Sequence, residues 1–396
     1  MSAQQDLSFT YFPENYRWSH GLLIGLNMAP WGGAEIGEVN RIGLRLQDHV
    51  GDDDAWFREW AREARDVEDR GRAHIAEGRT ATGASYLQRA SAYYHVGERF
   101  LQPKSKEGLA AYMRGVDCLR DAAKHIKRPR IEHVEIPYEG TTLPAMLVHA
   151  EPIEGRKPGP VPAMIFFDGL DVTKEIQYFK GVPDLVARGI ACLIVDGPGN
   201  GEAIRFRDLY LHHETERYAT PVYEFLAARP EIDEKRIGVM AISLGGYYAP
   251  RAAAFEKRLA CSIAWGAQWD YRKIWIKRFE RLSRSDTPAL SVASNHLLWI
   301  LNAKTVDEAL EKLRPFDLDG VVQKIECPFL MVHGEGDEQI PLEDAQACFD
   351  AVGSRNKTMK IFTREEGGYH HCQIDNVSIG VAYMWDWVEQ VLQPRR

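Results

Sequence analysis

The chain has 396 residues, with 49 Lys and Arg against 57 Asp and Glu and a formal net charge of -8. No basic excess exists to displace counterions from phosphates, which excludes non-specific nucleic-acid binding. Hydrophobic residues at 45% and charged residues at 27% exclude a disordered or membrane-spanning composition and fit one large domain with an accessory one.

The first twenty residues lack a basic segment followed by an apolar run, and the apolar patch at 21–31 is broken by Gly, Asn and Pro. A secretory signal and a membrane span are therefore not expected, and the protein is read as cytoplasmic. The 6 cysteines are scattered without a Cys-x-x-Cys pair, which fits reduced thiols better than a disulfide frame or a zinc site.

Residues 55–76, 83–100 and 106–126 read as helices. Trp56, Trp60, Ala64 and Val67 recur near helical spacing, as do Tyr86, Ala90, Tyr93 and Phe100, giving the first two helices one apolar stripe each. Such stripes need a partner surface, supplied by a second copy in a homodimer or by docking on the rest of the chain. Tyr11, Phe12, Tyr16, Trp18 and Trp31 are read as packing against the next domain rather than lining a substrate cavity. Residues 1–130 are expected to form an N-terminal helical cap domain.

Beyond Lys127-Arg128-Pro129-Arg130 the pattern changes. Residues 131–137 and 143–149 alternate like an antiparallel pair joined at Glu139-Gly140. Strands at 163–167, 191–195, 237–241, 260–265, 328–332 and 359–363 then alternate with helices at 174–188, 215–228, 245–255, 343–352 and 377–392. This order implies right-handed crossovers and an α/β fold over residues 131–396, its mainly parallel sheet covered by helices on both faces. A polar, partly helical insertion at 267–325 interrupts the alternation beside the carboxyl ends of the strands, where such folds bind ligands, and reads as a lid.

The stretch from Arg236 to Ala249 combines a buried-strand pattern with small residues around Ser243, as a sharp strand-to-helix turn requires. Ala241 stands where a glycine is usual, a mild departure because the position needs a small side chain. After the strand at 328–332 comes a loop with Asp337, and after the strand at 359–363 a loop with His370 and His371. Ser, Asp and His thus follow in the chain order of an α/β-hydrolase triad. Serine is barely nucleophilic at neutral pH, so an imidazole must take its proton and a buried carboxylate must fix the imidazole tautomer. Ser243 is the expected nucleophile and Asp337 the orienting acid, with His371 and His370 rival bases.

The oxyanion that develops on attack needs backbone N–H donors, expected from Leu244 and from the turn Asp168-Gly169-Leu170-Asp171, with Leu170 the choice and Gly169 its neighbour. Residues 196–202 lack the Gly-Lys-Ser/Thr ending of a phosphate loop and the spacing of a dinucleotide fingerprint, and read as a tight strand-end turn. No cofactor-binding or metal site is expected.

Asp168-Gly169-Leu170-Asp171 with Thr173-Lys174-Glu175, the Gly-Pro-Gly-x-Gly-Glu turn at 197–202, Ser243-Leu244-Gly245-Gly246, Ile263-Ala264-Trp265-Gly266 and His371-Cys372 carry a resemblance. Together they resemble the α/β-hydrolase branch that contains 2,6-dihydroxypseudooxynicotine hydrolase and the fungal yellowish-green heptaketide hydrolases, over residues 131–396, and the helical N-terminal segment is similar in type. The resemblance implies cofactor-free cleavage of a carbon–carbon bond next to a ketone, or shortening of a polyketide chain. Its His-Cys dipeptide favours His371 as the base. It also implies an additional acid near the start of the lid; the nearest here is Asp270, flanked by Trp269 and Tyr271, and these three are the candidate substrate-binding residues.

The expected activity is a serine hydrolase acting on an aromatic or polyketide-like small molecule held between lid and N-terminal helices. A carboxylesterase or thioesterase would use the same triad. A non-catalytic ligand-binding module on a hydrolase scaffold is the alternative from another class.

Overall fold

The computed structural model describes residues 9–155, 158–283, 292 and 295–392. Among the described residues five α-helices precede the first strand: α1 (Tyr16–Leu26), α2 (Ile36–Leu46), α3 (Asp53–Ala76), α4 (Thr80–Glu98) and α5 (Lys106–Ala123). Local chemistry sets their starts. Asn15 accepts a hydrogen bond from the Trp18 N–H, Asp52 from Asp54 and Ala55, and Ser105 from Gly108, each satisfying N–H groups that the first helical turn leaves open.

The α3 stripe of Trp56, Trp60, Ala64 and Val67 is fully buried within the chain, so the face that suggested a homodimer is covered by intrachain packing. Helices α1 and α2 are absent from the sequence reading. From Trp18 to Gly25 every residue of α1 is buried, so no polar face sets a helical period there.

The strands are β1 (Ile131–Tyr138), β2 (Thr141–Val148), β3 (Val161–Phe167), β4 (Ala191–Val195), β5 (Ile232–Ile242), β6 (Ser262–Trp265), β7 (Phe329–Gly334) and β8 (Lys357–Phe362). They form one sheet in the order β1-β2-β4-β3-β5-β6-β7-β8. β1, β2 and β4 pair antiparallel, and the pairings from β4 through β3 to β8 are parallel. Alternate residues feed two cores. Met164, Phe166, Met240 and Ile242 join the N-terminal helices, while Ile165, Phe167, Val239 and Ala241 join the opposite face. Burial on both faces explains why these strands read as continuous apolar runs.

The crossover helices are α6 (Lys174–Tyr178), α7 (Val182–Ala187), α8 (Gly201–Arg207), α9 (Glu216–Ala227) and α10 (Gly245–Phe255). The single helix expected at 174–188 is two, because Gly181 takes a left-handed φ of 81° and Pro183 opens the next helix. The expected strand-end turn at 196–202 leads directly into α8, which was hidden by its glycines. The insertion supplies α11 (Tyr271–Ser283), α12 (His296–Ile300) and α13 (Val306–Lys312), and the chain closes with α14 (Leu342–Ala351) and α15 (Val377–Leu392). Residues 284–291 and 293–294 of the expected lid lie outside the described residues.

Buried polar contacts tie the N-terminal helices to the sheet side. Arg205 donates to Glu98 at 2.6 Å, Arg99 pairs with Asp171, and His95 lies 3.6 Å from Glu175. Gln102 meets His296 of the insertion at 3.1 Å. Among the described residues no helix is long and apolar enough to cross a membrane.

Candidate active site

β5 ends at Ile242 and α10 starts at Gly245, so two residues reverse the chain. Ser243 carries the cost of that turn with a φ of 61°, a left-handed conformation that a non-glycine residue adopts only when its surroundings impose it. Its N–H donates to the Trp265 carbonyl at 2.7 Å and its carbonyl accepts from Gly246 at 2.8 Å. A side chain at Gly245 would put its Cβ 2.4 Å from that of Ala241. The alanine is thus accommodated because its neighbour across the turn has no side chain.

The hydroxyl of Ser243 lies 2.8 Å from Nε2 of His371, and Nδ1 of His371 lies 2.6 Å from Oδ2 of Asp337. With the Nδ1 proton donated to the carboxylate, Nε2 of neutral His371 is left to accept the serine proton. The other oxygen of Asp337 accepts from the N–H groups of Gln339 at 2.8 Å and Ile340 at 2.9 Å. Burial raises the Asp337 carboxyl, but the facing imidazole and these donors outweigh it and hold the group below its ordinary value. Burial likewise disfavours the His371 cation, but the Asp337 carboxylate overrides it and raises the imidazole above its ordinary value.

The loop that presents His371 has its own anchor. The Asp375 carboxylate accepts from the N–H groups of Gly368 at 2.9 Å, Tyr369 at 3.0 Å and His370 at 3.0 Å. Gln373 accepts from the Trp265 indole at 2.7 Å, tying the far side of the loop to the end of β6. His370 points elsewhere: its ring lies 5.0 Å from that of Tyr369, and it faces a second cavity. His333, a buried strand-end residue, donates from Nε2 to the Ile340 carbonyl at 3.2 Å.

The turn after β3 is pressed against the serine. A Cβ at Gly169 would fall 2.7 Å from the Ile242 carbonyl oxygen and 3.2 Å from the Ser243 Cβ. Leu170, next in the turn, buries its side chain, and its carbonyl oxygen lies 3.2 Å from Nε2 of His296. Leu244 is buried at the start of α10, where the helix dipole favours negative charge.

The candidate substrate-binding trio sits at the start of the insertion, next to Gln268, whose amide donates to the Ser243 carbonyl at 3.4 Å. Asp270 is occupied in starting α11: it accepts from the Lys273 N–H at 3.0 Å and pairs with the Lys273 ammonium at 3.2 Å. Trp269 packs against the core on the far face of the sheet, and Tyr271 is buried, its phenol pushed up to about 12. None of the three is among the described residues lining the cavity beside Ser243.

That cavity, of about 550 Å³, lies between α1 and the strand-end loops. Ser243, His371 and Cys372 border it with Ile24 and Met28 of α1, Val172 and Val377. A second cavity of about 600 Å³, bordered by Tyr16, Leu23, Glu338 and His370, shares His20 and Ile374 with the first. Burial keeps the His20 imidazole uncharged, its pKa lowered well below the ordinary value. The wall residues His20, Asn27 and Lys180 have no role in the sequence reading, while Asp171 and Cys372 enter it only as parts of motifs. The Asn15 cap before the stretch 16–26 was the available signal for α1. Among the described residues no group of three or more His, Cys, Asp or Glu is placed to hold a metal ion.

A family model for the prolyl oligopeptidase family matches residues 176–395. Hydrolase acrC of Aspergillus aculeatus is 27% identical over 98% of this chain and 99% of its own length. The 2,6-dihydropseudooxynicotine hydrolase of Paenarthrobacter nicotinovorans is 30% identical over 88% of this chain and 89% of its own. The crystal structure of 2,6-dihydroxy-pseudo-oxynicotine hydrolase superposes with a TM-score of 0.76 at 25% identity, covering 93% of this chain and 95% of that one. The likeness therefore includes the N-terminal helices as well as the sheet, and the resemblance seen in residues 131–396 extends over nearly the whole chain. With the serine turn and its hydrogen-bonded imidazole inside the matched region, the chain is a hydrolase and belongs to the prolyl oligopeptidase family of α/β-hydrolases.

Proposed function

We propose that the chain is a cofactor-free serine hydrolase that cleaves a carbon–carbon bond next to a ketone in an aromatic or polyketide-like small molecule. In this reading Ser243 is the nucleophile, His371 the base and Asp337 the orienting acid. The observation that carries it is the 2.8 Å contact between the Ser243 hydroxyl and Nε2 of His371, at the wall of a cavity bordered by α1. Substrate scope rests on the relatives, one of which is named a hydrolase of a pseudooxynicotine.

Attack by Ser243 on the ketone forms the Oγ–C bond while its proton passes to His371. The N–H groups of Leu244 and Leu170 would receive the oxyanion; the close approach of Gly169 to Ser243 supports the second. Cleavage leaves an acyl-serine, which water activated by His371 releases. Residues 1–130 would act as a cap and 267–325 as a lid over residues 131–396, supported by the bond from Arg278 of α11 to the Gln339 carbonyl at 3.1 Å, in the Asp337 loop. Six thiols free of disulfides suit a cytoplasmic setting.

An ester would be cleaved by the same parts. Product mass analysis on an aryl β-diketone beside the matching ester tests the choice. The reading expects carboxylic acid and methyl ketone from the diketone with wild type and neither with Ser243→Ala; cleavage of the ester alone would make the chain an esterase.

A further inference from the structure

Among the polar side chains of the serine cavity, each but one is already engaged or uncharged. His371 is held by Asp337 and Ser243, and Asp171 is paired with Arg99. Asn27 donates to the Ile374 carbonyl at 2.6 Å, and the Cys372 thiol lies 3.5 Å from the Trp265 carbonyl. Lys180 differs. It lines the same cavity, and among the described residues no hydrogen bond or ion pair engages its ammonium. The ring of Trp265 has its centroid 6.0 Å from Nζ, and Cys372, Asp171, Asp168 and Arg99 are the ionisable groups that face it.

Lys180 is half-buried, and its ammonium opens on the cavity with no hydrogen bond or ion pair, so it can take an anionic oxygen there without giving up a partner. The backbone is fixed against drift: the Lys180 N–H donates to the Gln177 carbonyl at 2.9 Å, and the Trp385 indole of α15 donates to the Gly181 carbonyl at 2.8 Å. Burial, with the Arg99 charge beside it, lowers the Lys180 pKa against the opposing pull of Cys372, Asp171 and Asp168.

We propose that Lys180 receives the negatively charged oxygen of the substrate's leaving half, which makes enolisable β-diketones the preferred substrate class. The assignment rests on the carbon–carbon reading above. After Ser243 has added to the carbonyl, the tetrahedral alkoxide collapses and the carbon–carbon bond breaks. Its electron pair moves onto the α-carbon and into the second carbonyl, whose oxygen becomes an enolate against the three N–H donors of Lys180. The proton held on Nε2 of His371 then passes to the α-carbon, giving a neutral ketone. Water adds to the acyl-serine, returning the proton to Oγ through His371 and releasing the acid. An ester needs no such enolate, so its cleavage should be indifferent to Lys180.

The test compares wild type, Lys180→Met and Lys180→Arg on an aryl β-diketone and on the matching ester. The expected result is a kcat loss of about 100-fold or more on the diketone for Lys180→Met, with ester turnover nearly unchanged and partial rescue by Lys180→Arg. Retained ester turnover also shows that the variant is folded. Equal losses on both substrates, or no loss on the diketone, overturn the proposal. If wild type cleaves the ester alone, the carbon–carbon reading fails, and Lys180 is judged by inhibition of ester turnover. Dimedone, a cyclic β-diketone that is an enolate at neutral pH, is set against the neutral monoketone of the same ring. A preference of wild type for dimedone that falls by about tenfold or more in Lys180→Met upholds the anion site, and the same preference in both proteins, or none in wild type, overturns it.

Discussion

Asp196 follows β4 and Asp337 follows β7, and both carboxylates are buried at the strand ends against a cationic partner, yet the partners differ in kind. Asp196 faces Lys174 at 2.9 Å, an ammonium also 2.8 Å from Glu175 and 2.6 Å from Glu202. Surrounding carboxylates outweigh the burial penalty and raise the Lys174 pKa, so its charge is permanent across the working range. Asp337 faces His371, whose charge can change, and whose free nitrogen reaches a serine. One constellation fixes the turn of the preceding segment onto α8; the other keeps a proton ready to move. Burial with a fixed counter-charge yields structure, whereas burial with a titratable one yields chemistry.

The sharpest way to break this contrast is at the chemical end. Ser243→Ala should lower kcat by about six orders of magnitude if serine, imidazole and carboxylate act as a unit, and Asp337→Asn by about four, since the amide would stabilise the wrong tautomer. Lys174→Met should do the opposite, costing about 3–5 kcal/mol of stability in urea unfolding by leaving buried carboxylates uncompensated, with kcat per folded molecule nearly unchanged. A large kcat loss without destabilisation would erase the distinction.

The pH profile sharpens it further. Asp337 raises the His371 pKa above 6.5, and the base works only when neutral. The value of kcat/KM should therefore rise with pH through a midpoint above 6.5, and that midpoint should drop in Asp337→Asn. A midpoint at or below the ordinary imidazole value would show that the carboxylate does not act on the imidazole as described. The smallest effect is expected at Asp270→Ala, a loss of about 1 kcal/mol from removing a helix cap, with turnover unaffected.

Much of this was legible before the structure because the chemistry is local in sequence. The run 236–249 shows a strand and a turn of small residues, and Asp337 and His371 each sit in the loop after a readable apolar strand. The residues alone left His370 and His371 as rivals and only the His-Cys dipeptide of the resemblance favoured His371; the cradle of Asp375 that holds their loop is made with three backbone N–H groups, which no periodicity reveals. Helix α1 was missed because burial on all sides removes the polar stripe that marks a helix, and with it went His20 and Asn27 of the cavity wall. Asp270 drew attention as a carboxylate at the start of the insertion, but the same position is where a helix needs a cap, and capping occupies it. Lys180 had no sequence signal at all: it follows α6 at a break created by Gly181, and only the fold turns it toward the serine cavity.

The most direct test of the central claim is labelling with a fluorophosphonate followed by peptide mapping of wild type, Ser243→Ala, His371→Ala and His370→Ala. The account predicts one adduct on the Ser243 peptide in wild type and His370→Ala, strongly slowed labelling in His371→Ala and none in Ser243→Ala. Labelling that persists in Ser243→Ala, or that depends on His370 rather than His371, would contradict it.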